Sequence, residues 1–200
     1  MVTAIIAAGG RGARMGGHRP KQLLWLAGVT ILQRSVATFD RCGQVDEMVL
    51  VVPPELATDT SLASTPDGTP LRVVHGGARR QDSVARGFDA SSPSSEIIVV
   101  HDAARPLCPP EVIIRTIEEA SRHGAAVAAL GAHDTVKQRA AGDGRFVGRT
   151  LARQSIALAQ TPQAFRREVL AEAIRLGRRG VEATDEAVLV EQAGHRVALV

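Results

Sequence analysis

Residues Ile5-Ile6-Ala7-Ala8-Gly9-Gly10-Arg11-Gly12-Ala13-Arg14-Met15-Gly16-Gly17-His18-Arg19-Pro20-Lys21-Gln22 decide the reading of this chain, because an apolar strand runs there straight into a glycine-rich, cationic loop. Glycines let backbone N–H groups approach phosphate oxygens with no Cβ in the way, and Arg14 and Lys21 can neutralise the charge gathered there. Lysine is otherwise nearly absent: Lys21 and Lys137 are the only two among 24 basic side chains. Keeping a compact ammonium at position 21 in an arginine-rich chain points to a specific need for it. The other reading of the segment is a surface loop with solvated arginines.

Working outward, short apolar runs alternate with amphipathic stretches, the pattern of parallel strands joined by crossover helices. Strands are expected at Val2–Ala7, Met48–Val52, Leu71–Val74, Ile97–Val100 and Ala125–Ala129. Helices are expected at Ile31–Asp40, where Thr30 and Gln33 can form a capping box, at Gln81–Ala90, and from Pro110 to His123, with proline in the first turn. Residues 133–160 break the alternation. Thr135–Arg139 and Arg145–Leu151 flank the turn-forming Ala140–Gly144 and read as an extended hairpin projecting from the body. The fold class is therefore α/β: a mostly parallel Rossmann-like sheet flanked by helices, with a β-arm that needs a partner to cover it.

With 200 residues, 44% hydrophobic, the chain suits one domain with a full core. It has no apolar run of membrane-spanning length and no signal-peptide pattern, so a cytoplasmic location with no membrane partner is expected. Cys42 and Cys108 are too few for a disulfide framework or a zinc site, and reduced thiols follow. A net charge of +3, dispersed basic residues, 2% aromatics and no tyrosine argue against a nucleic-acid partner.

Two phosphate-loop motifs fail on the first loop. A P-loop needs Gly-Lys followed by Ser or Thr, which is absent, and a dinucleotide fingerprint needs glycine at position 15, where Met15 stands and Gly16 comes one residue late. No ribose-binding acid closes the second strand at Val52-Pro53-Pro54, so a nicotinamide oxidoreductase is disfavoured. The next helix waits until after Thr30, so its N-terminus cannot lie directly on the phosphates. A wide loop with its own cations suits a nucleoside triphosphate better. Asp102 follows the apolar run Ile97–Val100 and should sit at the carboxyl end of a buried strand, where open α/β sheets bind ligands. Facing a triphosphate, a carboxylate there is a candidate magnesium ligand; a helix N-cap is the other reading. His101 reads as a structural neighbour. Gly76-Gly77, after the third strand, can bring backbone groups to a base, and Ser83 can add a hydroxyl; Asp82 reads equally as a cap or a base contact.

Taken together, Ala8–Gly16 with Pro20-Lys21 resembles the signature loop of sugar-phosphate nucleotidyltransferases. Five later segments sharpen the likeness: Gly76–Val84, Val100–Pro106, Asp134–Lys137, Arg153 with Gln160–Phe165, and Thr184-Asp185-Glu186. Six motifs in order resemble the 2-C-methyl-D-erythritol 4-phosphate cytidylyltransferases of non-mevalonate isoprenoid biosynthesis. The resemblance implies CTP and a polyol phosphate as partners, Mg²⁺ or a similar divalent cation, and a homodimer through the 133–160 arm. It assigns Arg14 and Lys21 to the reacting phosphorus and the departing pyrophosphate. It places Ala8, Gly9, Gly10, Gly12, Gly77, Ala78, Arg80 and Ser83 at the nucleotide, Asp102 at the metal, and Ala103, Arg105, Thr135, Arg153 and Thr184 at the acceptor.

The chain departs from the family in three places. Gly9 stands for a more usual alanine, and Ala78 for a residue that is acidic in some relatives, so only its backbone can contribute. The family also continues past position 200 with a strand and helix bearing a second metal-binding aspartate and a lysine, so the resemblance implies an absent C-terminal segment. For Arg153 a solvated face is the other reading, since Arg149 and Arg153 share a helical spacing. A ribitol-5-phosphate cytidylyltransferase and a non-catalytic nucleotide-binding dimer module are the alternative functions.

Overall fold

A computed structural model describes residues 1–9, 21–59, 62, 64–142 and 144–200. Seven strands form one sheet: β1 (Val2–Ala7), β4 (Glu47–Val52), β5 (Leu71–His75), β6 (Ile97–Asp102), β7 (Ala125–Gly131), β10 (Ala157–Arg166) and β11 (Ala198–Leu199). Their order is β11-β7-β10-β6-β1-β4-β5. Every pairing is parallel except those of β10, which runs antiparallel between β6 and β7. Between β1 and the first long helix, a 3-10 turn at Lys21–Leu23 leads into a small hairpin of β2 (Trp25–Leu26) and β3 (Val29–Thr30). A separate ribbon of β8 (Val136–Arg139) and β9 (Val147–Leu151) forms the arm.

Side-chain alternation along the central strands splits the core into two layers. Ala4 and Ile6 of β1, Met48, Leu50 and Val52 of β4 and Val99 of β6 face α1 (Ile31–Arg41) and α3 (Pro110–His123) through Leu32, Val36, Phe39, Ile113 and Ile117. Ile5, Val49, Val51, Ile98 and Val100 face α2 (Arg80–Ala90), α4 (Arg167–Arg178) and α5 (Glu186–Gln192) through Val84, Leu170, Ile174 and Leu189. Burying each such side chain contributes about 1.5–3 kcal/mol before chain entropy is counted. Helix α2 lies so close to the sheet that a Cβ on its Gly87 would come 2.5 Å from Ile5 Cγ2.

The expected capping box is formed: Gln33 N donates to Thr30 Oγ1 at 3.1 Å and Thr30 N to Gln33 Oε1 at 2.9 Å. Strand β1 and helix α3 have the expected bounds, and the other expected elements agree to within two residues at each end. Two readings are corrected. Arg149 lies on β9 and Arg153 in a 3-10 turn at Arg153–Ser155, so they share no helical face. Asp102 is the last residue of β6, eight positions before α3, so it caps no helix there. Strand β10 and helices α4 and α5 lie outside the sequence expectations. Among the described residues, no helix is long and apolar enough to cross a membrane.

Candidate functional site

The parallel strands β1, β4, β5 and β6 all end on one edge of the sheet. Ala7 pairs in register with Asp102, and Ala103 N donates to Ala7 O at 3.0 Å, so the segments leaving β1 and β6 start side by side. Ala8 N donates to Val51 O and Gly76 N to Val52 O, each at 2.7 Å, which draws the β1 and β5 exits onto β4. Gln22 is buried and donates to Ala8 O at 2.6 Å, tying Lys21 and its 3-10 turn back to the end of β1. Gly10, Gly12 and Arg14 lie outside the described residues.

The Ser83 hydroxyl, on the first turn of α2, is a hub for the glycine segment. It accepts from Gly77 N at 3.0 Å and donates to Arg79 O at 3.2 Å. A Cβ on Gly76 would stand 2.7 Å from Ser83 Oγ, one on Gly77 2.4 Å from Asp82 Cβ, and one on Gly9 3.5 Å from Ser83 Oγ. The space therefore requires glycine at 76 and 77, next to Ala78 at the helix entrance. Asp82 takes the capping role: its carboxylate accepts from Arg79 N and Nε at 3.1 Å each and from Nη2 at 2.8 Å. Those bonds hold its carboxyl below the usual aspartate range despite partial burial.

Asp102 is held between two guanidiniums. Arg80 Nε lies 3.0 Å from its Oδ1 and Arg105 Nε 3.5 Å from its Oδ2. Arg80 Nη1 reaches on to Glu186 Oε2 at 2.6 Å. Burial works against the charge of Arg80, but the two carboxylates more than offset it and raise its pKa further. Burial raises the pKa of Glu186, which is 1% exposed. The other end of Arg105 bonds Gln160 Oε1 through Nη1.

His101 is fully buried against Phe39, and desolvation lowers its pKa to about 4, so it is neutral. Its Nε2 is 3.1 Å from Arg105 O and its Nδ1 3.1 Å from Thr161 Oγ1. A carbonyl only accepts, which assigns the proton to Nε2 and leaves Nδ1 to accept from the threonine hydroxyl. Thr161 Oγ1 in turn accepts from Asp102 N at 3.2 Å. The imidazole thus fixes the backbone at both Asp102 and Arg105, which agrees with the structural role read for it.

The structure brings together Ala8, Gly9, Gly77, Ala78, Arg80, Ser83, Asp102, Ala103 and Arg105, with Lys21 joined through Gln22. Thr184 is exposed just ahead of Asp185, the α5 N-cap. Thr135 and Arg153 are exposed on the arm, where Arg153 Nη1 donates to His133 O at 2.7 Å; among the described contacts, nothing links them to Asp102. Gln22, Glu186 and Thr161 were missed as site residues, although each lies inside a quoted motif. Among the described residues no group of three or more His, Cys, Asp or Glu side chains gathers to hold a metal. A cleft of about 590 Å³ beside α1, lined in part by Leu32, Arg41 and Cys108, is lined by none of the expected site residues.

Glycine-lined strand ends beside a carboxylate on the neighbouring parallel strand define an α/β protein with a crevice at the carboxyl ends of the strands, where open α/β sheets bind ligands. The family model "IspD: 2-C-methyl-D-erythritol 4-phosphate cytidylyltransferase" matches residues 2–200, and the chain belongs to that family. It is 47% identical over its whole length to the bifunctional enzyme IspD/IspF of Anaeromyxobacter sp. (strain Fw109-5), of which it covers 51%. It is 41% identical to the 2-C-methyl-D-erythritol 4-phosphate cytidylyltransferase of Pelotomaculum thermopropionicum, covering all of this chain and 84% of that one. The chain thus spans about half the length of the bifunctional relatives and most of the single-function one. The crystal structure of the Thermus thermophilus cytidylyltransferase superposes with a TM-score of 0.79 at 37% identity, covering 100% of this chain and 87% of that chain.

Proposed function

We propose that the chain joins CTP to 2-C-methyl-D-erythritol 4-phosphate, giving 4-diphosphocytidyl-2-C-methyl-D-erythritol and pyrophosphate in the non-mevalonate isoprenoid route. The observation that carries the reading is Asp102, register-paired with Ala7 beside the Ala8–Gly9 exit and bridged by Arg80 to the helix that holds Gly77. A phosphate monoester has a second pKa near about 6, so the acceptor arrives largely anionic and needs no general base. One of its oxygens attacks the α-phosphorus of CTP; the bond from that phosphorus to the bridging oxygen breaks, and pyrophosphate leaves with the bonding electrons. The protein's part is alignment and charge compensation.

In this reading Lys21 and Arg14 offset charge on the reacting phosphorus and the leaving group. Backbone at Ala8, Gly9, Gly10, Gly12, Gly77 and Ala78 cradles the nucleotide, with Ser83 holding the glycine segment and Arg80 at its edge. Ala103, Arg105, Thr135, Arg153 and Thr184 meet the acceptor. Asp102 offers a hard divalent cation an oxygen ligand: its side chain is partly exposed at 32% at the end of β6. Mg²⁺ is a hard cation that takes oxygen ligands, and the Asp102 carboxylate would supply one. When bound it supplies charge neutralisation between the phosphates. The arm carries Phe146 and Val147 at 64% and 60% exposure, which supports a homodimer formed through residues 133–160.

Pyrophosphate release is measured from CTP with either 2-C-methyl-D-erythritol 4-phosphate or ribitol 5-phosphate. Turnover with the first supports the proposal. Turnover with ribitol 5-phosphate alone overturns the acceptor, and calorimetric CTP binding without release from either overturns catalysis in favour of a nucleotide-binding module.

A further inference from the structure

Glu186 is the most buried carboxylate among the described residues, and none of the roles assigned above uses it. Its own backbone N–H bonds its carboxylate, but Glu186 is not the cap of the helix it sits on. The α5 N-terminus is secured by Asp185 Oδ1, which accepts from Val188 N at 3.0 Å, and by Gln163, which donates to Asp185 Oδ2 at 3.1 Å and accepts from Ala187 N at 3.3 Å. Glu186 instead turns inward to Arg80, 106 positions earlier in the chain. Its Oε1 and Arg80 Nη2 are both buried with no hydrogen-bond partner among the described residues. A buried ion pair with unsatisfied atoms is a poor device for stability, since apolar side chains of similar volume serve as well or better. The pair therefore calls for a different explanation.

That explanation lies in what Arg80 touches at its other end. Its Nε bonds Asp102 Oδ1 while Arg105 faces Oδ2, so both oxygens of the carboxylate proposed for the metal are shared with guanidiniums. Two guanidiniums balance two carboxylates before any metal arrives. A cation on Asp102 competes with Arg80 for the charge of that carboxylate, and a guanidinium that loses part of its hold on one carboxylate within a partly buried site is kept by another. Glu186, at 2.6 Å from Nη1, is that second carboxylate.

We infer that Glu186 is a positioning residue that retains Arg80 when Asp102 takes a divalent cation, so that guanidinium and metal compete for Asp102 about a fixed Glu186–Arg80 anchor. The inference rests on the reading of Asp102 as the metal's carboxylate. Without the charge of Glu186, Arg80 has only Asp102 to pair with, and the metal must compete against a guanidinium with nowhere to go.

The test uses the full chain and Mn²⁺ as the probe. Calorimetry gives the CTP affinity with Mn²⁺ and with chelator, and their ratio is the metal-dependent gain. Glu186→Gln is expected to cut that gain by about 10- to 100-fold, the range for residues that support a metal ligand from behind. Metal-free CTP affinity should not fall. The double variant Glu186→Gln/Arg80→Gln removes the competitor and leaves no unpaired buried charge, so its gain should return to the wild-type value or above. Asp102→Asn separates the two ideas. If it abolishes the gain while Glu186→Gln leaves it intact, the positioning role is overturned and the metal assignment stands. If Asp102→Asn keeps the gain, the metal assignment itself fails and the inference with it. An equal loss of CTP affinity with and without Mn²⁺ in Glu186→Gln marks a merely structural residue, and a tenfold lower gain in the double variant overturns the competition; either result sinks the proposal.

Discussion

Replacing Gly77 by alanine tests the nucleotide end of the site with one added methyl group. The new Cβ would stand 2.4 Å from Asp82 Cβ, 3.2 Å from Asp82 C and 3.4 Å from Asp82 Cα. None of these is the far end of a flexible side chain, and Asp82 is clamped by three hydrogen bonds to Arg79. Carbon pairs settle at about 3.5–4.0 Å, so the segment must withdraw by about 1 Å. Overpacking of this kind costs about 1–3 kcal/mol. The withdrawal also strains the 3.0 Å bond from Gly77 N to Ser83, which contributes about 0.5–1.5 kcal/mol. At about 2–4 °C per kcal/mol for a chain of this size, the melting temperature should fall by several degrees. A misplacement of about 1 Å at a binding group can cost up to about 100-fold, so KM for CTP should rise by about 10- to 100-fold in steady-state kinetics. Gly131→Ala, whose Cβ meets nothing within 4 Å, controls for the added methyl. Wild-type KM and melting temperature in Gly77→Ala would refute the claim that this glycine is required by space.

Lys21→Ala should lower turnover by about 10²–10³ while the melting curve stays in place; unchanged turnover removes the ammonium from the reacting centre. Asp40 accepts from Asp67 N at 2.5 Å and Thr69 N at 3.1 Å, pinning the segment before β5 to α1. Burial acts to raise its pKa, but hydrogen bonds from Thr69 and Asp67 win and depress it below the ordinary aspartate value. A carboxyl depressed in the folded state contributes stability above its unfolded pKa and loses it as pH falls through the folded value. Asp40→Asn should therefore cost about 1–2 kcal/mol in urea titrations near neutral pH, and the gap to wild type should narrow below about pH 4; a gap constant with pH would contradict this.

Local signals carried much of the fold. Strand β1 and helix α3 are bounded by a clean apolar run and by Pro110 and Gly124, so both were legible to the residue. Strand β10 was not, because Pro162 interrupts it and its apolar residues are mostly alanines. Its antiparallel place between β6 and β7 depends on pairings that no neighbouring residue announces. Asp102 could be placed in advance because a strand end is a local property. The Arg80–Glu186 contact, spanning 106 positions, could not, and neither could the hub at Ser83 or the Thr161–His101 chain behind Asp102. The arm was recognised as a hairpin from its turn residues. The residues that hold its root to the sheet lie in the part of β10 that went unread.

Strand β10 has a mechanical consequence for that arm. Its first three residues are exposed beside Leu130 and Gly131, whereas Gln163–Phe165 pair with both β6 and β7, and the register shifts between Ala159 and Gln163. The ribbon of β8 and β9 thus joins the sheet through the turn at Arg153–Ser155 and the stretch of β10 where the register shifts. A load applied at its tip is carried along one continuous backbone to Thr161, the residue that grips the Asp102 amide.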